Sequence, residues 1–303
     1  MDNEFIPLGL QSPQQIAARL AEIEGEEVEY GPGKLSFRAE SAARTWLNTQ
    51  HQYGYIAPFS PGKARFHPIQ AASNIAADAE LKGKRINIRL DALRIYEYPK
   101  SRFNLGENQH TILFSFEARN QVEDGREELA VFNQLYKARS GQDAAVIGQP
   151  IFIGLTVGPN GIGFVCRTVN VMNSSDEELV SFLNSDTINA GLKLLTTAQP
   201  ALSPLTTLAS SLCNSLASHS KNVPVQEVRM GLDFETGATG ARLAVGSYIV
   251  AQTTRSDEIT WSEWVYDAET GAITSAPHSL AAGEKPSPLP HNAFVFRVSP
   301  YTA

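Results

Sequence analysis

From residue 85 onward the apolar residues recur at every second position. "RINIRL" sets Ile86, Ile88 and Leu90 on one side of an extended chain. "HTILFSFEARN" does the same with Ile112, Phe114 and Phe116, opposed by Thr111, Ser115 and Glu117. Successive side chains of a strand point to opposite faces, so this pattern describes strands with one face in a core and excludes amphipathic helices. In "RINIRLDALRI" the phase slips after Leu90, and Leu93 with Ile95 takes over. One extra residue in a strand produces such a slip, so a β-bulge is expected near Asp91.

The runs are separated by turn residues. Asp124-Gly125 stands between "HTILFSFEARN" and "ELAVFNQLY", and Asn160-Gly161 between "PIFIGLTV" and "IGFVCRTVNVM". Both dipeptides tolerate positive φ, and both positions predict hairpins. "ITWSEWVYD", "AETG" and "AITS" predict another. In "ARLAVGSYIVAQT", Leu243, Val245 and Ile249 oppose Ala244, Tyr248 and Val250, which marks a central strand covered on both faces. "VQEVRMGLDF" precedes it, and "AFVFRV" supplies a last strand that clips back onto the sheet. About nine strands joined mostly by tight turns, without regularly alternating helices, define the fold class. It is mainly β, a β-sandwich or large antiparallel sheet, with an N-terminal helical region and a helical insertion, α+β overall.

Residues 1–84 read as a helical and irregular region packed on the core. "SPQQIAARLAEIEG" begins with Ser12 as N-cap, Pro13 at the first helical position and Gln15 completing a capping box, with Ile16, Leu20 and Ile23 on one face. "RAESAARTWLN" is a second short helix docked by Trp46 and Leu47. "HPIQAASNIAADAELKG" is a third, starting at Pro68 and stopping at Gly83. Between these two lies "HQYGYIAPFSPGKARFHP", whose prolines and glycines predict an irregular loop. Residues 85–303 form the antiparallel β core, interrupted by a helical insertion at 174–222 and a proline-rich linker at 275–290.

Within the insertion, Ser175 and Glu178 form a capping box, and Ile188, Leu192 and Leu195 share a face. No Asp, Glu, Lys or Arg occurs between Lys193 and Lys221. Ser203 and Pro204 open a helix there, and Leu205, Leu208, Leu212 and Leu216 form one apolar stripe. A membrane span needs about 20 predominantly apolar residues. Here Thr206, Thr207, Ser210, Ser211, Asn214 and Ser215 occupy the other faces, where their hydroxyls and amides would be costly in hydrocarbon. The stripe belongs against the sheet, and Ser211 with Ser215 marks a face open to a partner.

With 32 acidic against 25 basic residues the net charge is −7, which disfavours general nucleic-acid binding. "MDNEFIPLGLQSPQQ" carries neither a basic n-region nor an apolar h-region, so no secretory signal is expected. Cys166 and Cys213 lack metal-type spacing and read as free, buried thiols of a cytoplasmic protein. His51, His67, His110, His219, His278 and His291 show no pair four residues apart. "SPGK" places Ser60 and Lys63 in a loop, not one helical turn apart. "EIEGEEVEY" is read as a solvated acidic surface. No catalytic, cofactor-binding or metal-ligating set is assigned.

Two surfaces remain. Tyr53, Tyr55, Phe59 and Phe66 interleave with Pro and Gly and offer a recognition surface. Lys84, Arg85 and Arg89 form a candidate anion patch, with Arg85 and Arg89 sharing a face with Asn87; the competing reading is an edge strand protected by charge. The leading expectation is a non-enzymatic cytoplasmic interaction module that binds a protein partner without a cofactor. One alternative is a membrane-active β-protein, either a regulated pore former or a lipid-binding module. The other is a hydrolase with a dispersed site that uses Ser60 or a histidine.

Overall fold

The computed structural model describes residues 5–24, 44–60, 62, 64–99, 109–121, 127–144, 146, 148–172, 212–219, 221–235, 240–280 and 285–302. The strands are β1 (Gln50–Ile56), β2 (Phe66–Pro68), β3 (Gln70–Ala71), β4 (Arg85–Ile95), β5 (Gln109–Gln121), β6 (Glu127–Arg139), β7 (Gln142–Asp143), β8 (Gln149–Thr156), β9 (Gly161–Val171), β10 (Val223–Asp233), β11 (Gly246–Thr253), β12 (Trp264–Asp267), β13 (Ala272–Ser275) and β14 (Ala293–Pro300). They form three sheets. The central one has seven strands in the order β3-β1-β11-β14-β4-β7, with β8 also paired to β4. A four-stranded sheet runs β10-β9-β5-β6, and a three-stranded sheet runs β13-β12-β2. Every pair within the sheets is antiparallel. The expected mainly β, antiparallel class is the observed one.

Alternation along the central strands splits their side chains between two cores. Ile86, Ile88 and Leu90 of β4, Tyr248 and Val250 of β11, and Phe294, Phe296 and Val298 of β14 pack with Ile112, Phe114, Phe116 and Phe164 of the four-stranded sheet. The intervening Ala92, Ile249, Ala251, Ala293 and Val295 pack with Trp261, Tyr266 and Ile273 at the three-stranded sheet. All of β11 is buried, as its two-sided apolar pattern requires. The bulge is also where the phase slip puts it. The register of β14 on β4 jumps from Val295↔Ala92 to Phe296↔Leu90, leaving Asp91 without a partner in the ladder.

The Asn160-Gly161 turn departs from expectation. Its turn is formed, with Gly158 N–H donating to the Gly161 carbonyl at 3.0 Å. However, β8 pairs with β4 while β9 pairs with β5 and β10, so the chain crosses from one sheet to another instead of closing a hairpin. Gly161 has φ +128°, and a Cβ there would lie 2.1 Å from the Leu232 carbonyl oxygen. Glycine is needed because the corner is pressed against β10. The β5–β6 hairpin does form, with Gln121 opposite Glu127; its Asp124-Gly125 turn lies outside the described residues. β12 and β13 make the third expected hairpin.

The N-terminal helices need correcting. The first, α1 (Pro13–Glu24), is present. Its capping box is closed in both directions: Ser12 N–H donates to Gln15 Oε1 at 2.9 Å, and Gln15 N–H donates to Ser12 Oγ at 3.3 Å. Of the second, residues 38–43 lie outside the described residues and the rest is a 3-10 turn, Thr45–Leu47, with Trp46 buried. The third is absent. Residues 68–83 supply the end of β2, then β3 and a 3-10 turn at Ala79–Leu81. The supposed irregular loop begins as β1, which lies inside the central sheet. Gly54, a residue that weakens strand propensity, fits tightly there: a Cβ would meet Ile69 at 3.0 Å, and Ile249 and Trp261 at 3.2 Å.

Of the insertion, residues 212–219, 221 and 222 are described, and 212–218 form a second helix, α2. Leu212, Cys213, Leu216 and Ala217 pack on Leu113, Val169, Val171 and Phe5 at the outer face of the four-stranded sheet. The C-terminal part of the leucine stripe therefore docks on the sheet; Ser203, Leu205, Leu208 and Ser211 lie outside the described residues. Cys166 and Cys213 are both free and buried. The described part of the proline-rich segment is laced to β13, with Leu289 N–H on the Ile273 carbonyl at 2.9 Å and Leu289 buried. Among the described residues no helix is long and apolar enough to cross a membrane.

Candidate binding site

The three-stranded sheet covers only part of the central sheet. Where they diverge they leave a cleft of about 770 Å³, lined by Phe59, Arg65, Arg89, Asp91, Tyr266 and Arg297 among others. The bulge explains how a carboxylate enters it. Arg89 and Arg297 stand opposite each other in the β4–β14 register, and the extra residue turns Asp91 toward Arg297. Arg297 Nε donates to Asp91 Oδ2 at 2.8 Å. Burial pushes the Asp91 carboxyl above its ordinary value, with Arg297 pulling the other way. Asp143 is raised by burial too, opposed by Arg94 at 3.5 Å.

Rings and arginines make up the rest of the cleft. The Arg297 guanidinium lies 5.8 Å from the Phe59 centroid. Phe59 stacks on His67 at 3.8 Å and 20°, and lies 5.9 Å from Tyr266. Across the cleft Arg65 forks onto Asp267, with Nε to Oδ1 at 3.1 Å and Nη2 to Oδ2 at 2.9 Å, and also reaches Glu269 at 2.9 Å. Burial alone would raise Asp267, but the hydrogen bond from Arg65 and its other donors outweigh it, and the carboxyl sits below its ordinary value. Arg89 is exposed and, among the described residues, forms no salt bridge. A like charge directly across a strand pair is unfavourable, and only Arg297 of the two has a carboxylate bonded to it.

The sequence-derived residues are divided by this geometry. Phe59 and Arg89, taken from two separate surfaces, meet in the cleft. Phe66 is half-buried under the Arg65 guanidinium at 5.0 Å. Tyr55 is a packing residue; its hydroxyl donates to the Val245 carbonyl at 2.6 Å and its ring meets Tyr248 edge-on. Lys84 and Arg85 are exposed at the start of β4 and do not line the cleft. Asn87 is occupied structurally, its Oδ1 accepting from Gly154 N–H at 3.1 Å. The edge-strand reading is overturned, because β4 lies between β14 and β8. Ser215 is exposed on α2, which packs on a different sheet from the cleft. Arg297, Asp143 and Tyr266 carry no mark of a site in the sequence, and Asp91 is marked there only as a bulge; the pairing of distant strands brings them together.

Two further features lie apart from this cleft. On the outer face of the four-stranded sheet, Arg167 bridges Glu117 at 2.5 Å and Glu227 at 2.6 Å, with Phe5 5.6 Å from the guanidinium. Every charge in that group is answered by another, as a buried ion network requires. A second cleft, of about 490 Å³, lies along the outer side of β1 and includes His51, Tyr53 and Trp261. Burial pushes the His51 imidazole down to about 4, so it is neutral at physiological pH. Among the described residues no three His, Cys, Asp or Glu converge to hold a metal.

The fold and its clefts define an antiparallel protein of three stacked sheets with an arginine- and aromatic-lined opening between two of them. No protein-family model, curated protein or solved structure matches the chain.

Proposed function

We propose that this protein is a non-enzymatic interaction module of the cytoplasm, and that the cleft between the central and three-stranded sheets receives a segment of a partner protein. The observation that carries this is the Arg89–Arg297 pair beside Phe59 and Tyr266 in one open cleft. Arginine and aromatic side chains are the types enriched where proteins recognise one another. The cleft mixes both charge signs, so the partner segment carries at least one carboxylate for Arg89 together with uncharged surface for the rings. Asp91 and Asp143 hold Arg297 and Arg94 in place, which supports a positioning role for these carboxylates. The two buried free thiols support a reducing compartment.

The test is affinity purification from the cell of origin with the full chain and its Arg89→Glu variant. A partner that co-purifies with the wild type and is lost with Arg89→Glu, at unchanged melting temperature, is expected. Equal recovery by both proteins would overturn the assignment of the cleft.

A further inference from the structure

We propose that the outer edge of β1 takes up an extended, uncharged segment of a partner polypeptide as an added strand, at a place separate from the arginine cleft. On one side β1 pairs with β11 over its whole length, from Gln50↔Thr253 to Ile56↔Ser247. On the other side its partner β3 is only two residues long and pairs with Gly54 and Tyr55. Ala72 N–H extends that contact by one bond, to the Tyr53 carbonyl at 3.0 Å. The Tyr53 carbonyl therefore points away from β11. Backbone groups of a strand alternate in direction, so both the N–H and the C=O of His51 point the same way. Among the described residues nothing pairs with them.

Unpaired sheet edges are normally guarded by a lysine, a proline, a bulge or a covering element. The open part of β1 reads Gln50-His51-Gln52-Tyr53 and carries none of these residues. Instead the 490 Å³ cleft lies beside it, walled by Ser73, Asn74, Trp261 and Ser262. Among the described residues, neither Asp, Glu, Lys nor Arg lines this cleft. A charged side chain entering it would lose water without gaining a counter-ion. A short extended segment with apolar or amide and hydroxyl side chains would satisfy the His51 backbone and lie along the cleft wall at Ser73, Asn74 and Ser262. This is the strand-addition mode, in which main-chain bonds give affinity and alternate side chains give selectivity.

The test pans a phage-displayed library of 12-residue peptides on the full chain. A selected synthetic peptide is then titrated by fluorescence anisotropy, with amide exchange of His51 followed by NMR. Binding is expected to slow exchange at the His51 amide and to weaken at least tenfold when alternate peptide nitrogens are methylated. His51→Pro removes the outward N–H without touching the β11 ladder and should weaken binding at least tenfold. Should that variant fail to fold, Ser262→Lys, an exposed change that places a charge in the cleft, should have the same effect. Arg89→Glu should leave the affinity unchanged, which separates this site from the one proposed above. The proposal is overturned if no peptide is selected, if His51 exchange is unaffected, or if Arg89→Glu abolishes binding. It is also overturned if the protein sediments as a dimer that His51→Pro dissociates, since the edge then belongs to a second copy.

Discussion

Strands β4, β11 and β14 show one kind of residue to the four-stranded sheet and another to the three-stranded sheet. On the first face Phe294 and Phe296 meet Phe114, Phe116 and Phe164 edge-on, with Phe114 and Phe294 at 5.3 Å and Phe116 and Phe296 at 5.5 Å. On the second face the same strands offer Ala92, Ile249, Ala251, Ala293 and Val295, with no ring among them. Large rings fill the space between two sheets to the density of a protein interior. On the second face the side chains are mostly smaller and are closed over by Trp261, Tyr266 and Ile273, except beside Ala92, where the arginine cleft opens. One central sheet thus carries a ring-filled core on one face and a smaller core with an open cleft at its border on the other.

That contrast is sharpened first by Phe116→Ala, which truncates a ring with four aromatic neighbours at 5.1 to 6.0 Å. Loss of about 3–5 kcal/mol is expected in chemical denaturation. A loss below about 1 kcal/mol would show that the aromatic face does not hold the fold.

His51 tests the rim of the same face. Its folded pKa is lowered from 6.5 to about 4, so the unfolded chain binds more protons between these values. Stability is then fully present above pH 6.5 and is lost as pH falls toward 4, by about 3 kcal/mol. His51→Gln should flatten that part of the stability–pH curve, as read from urea midpoints at pH 7 and pH 4.5.

On the cleft face, Val295→Ala removes a buried but smaller side chain, and about 2 kcal/mol is expected. A cost equal to that of Phe116→Ala would erase the distinction between the faces. The smallest effect belongs to Arg89→Glu. As an exposed residue outside any salt bridge among the described residues, it should change stability by about 0.5 kcal/mol or less while removing partner binding.

Part of the site was within reach of the sequence. Arg89 was singled out by its charge, Phe59 by its place among Pro and Gly, and Asp91 as the location of a bulge. Their convergence was not legible, because Phe59 follows one strand, Arg89 lies in another, and Arg297, the residue that joins them, lies near the end of the chain. β1 was hidden for a different reason. Glycine and nearby prolines argue locally against a strand, and only the closeness of Ile69, Ile249 and Trp261 explains why a small residue suits position 54.

What the sequence determined by itself was local. The period of two set the strands and their inward faces. The slip after Leu90 set the bulge, Ser12 and Gln15 set the start of α1, and the two-sided apolar run set β11 as a covered strand. The tertiary structure alone decided which strands became neighbours. It sent β8 and β9 to different sheets from a turn that reads as a hairpin, and it placed Arg297 opposite Arg89. The physical reason is range. Side-chain alternation and turn conformation depend on residues adjacent in the chain. Strand partnership depends on which arrangement of all the sheets buries the most apolar surface with every interior backbone group paired.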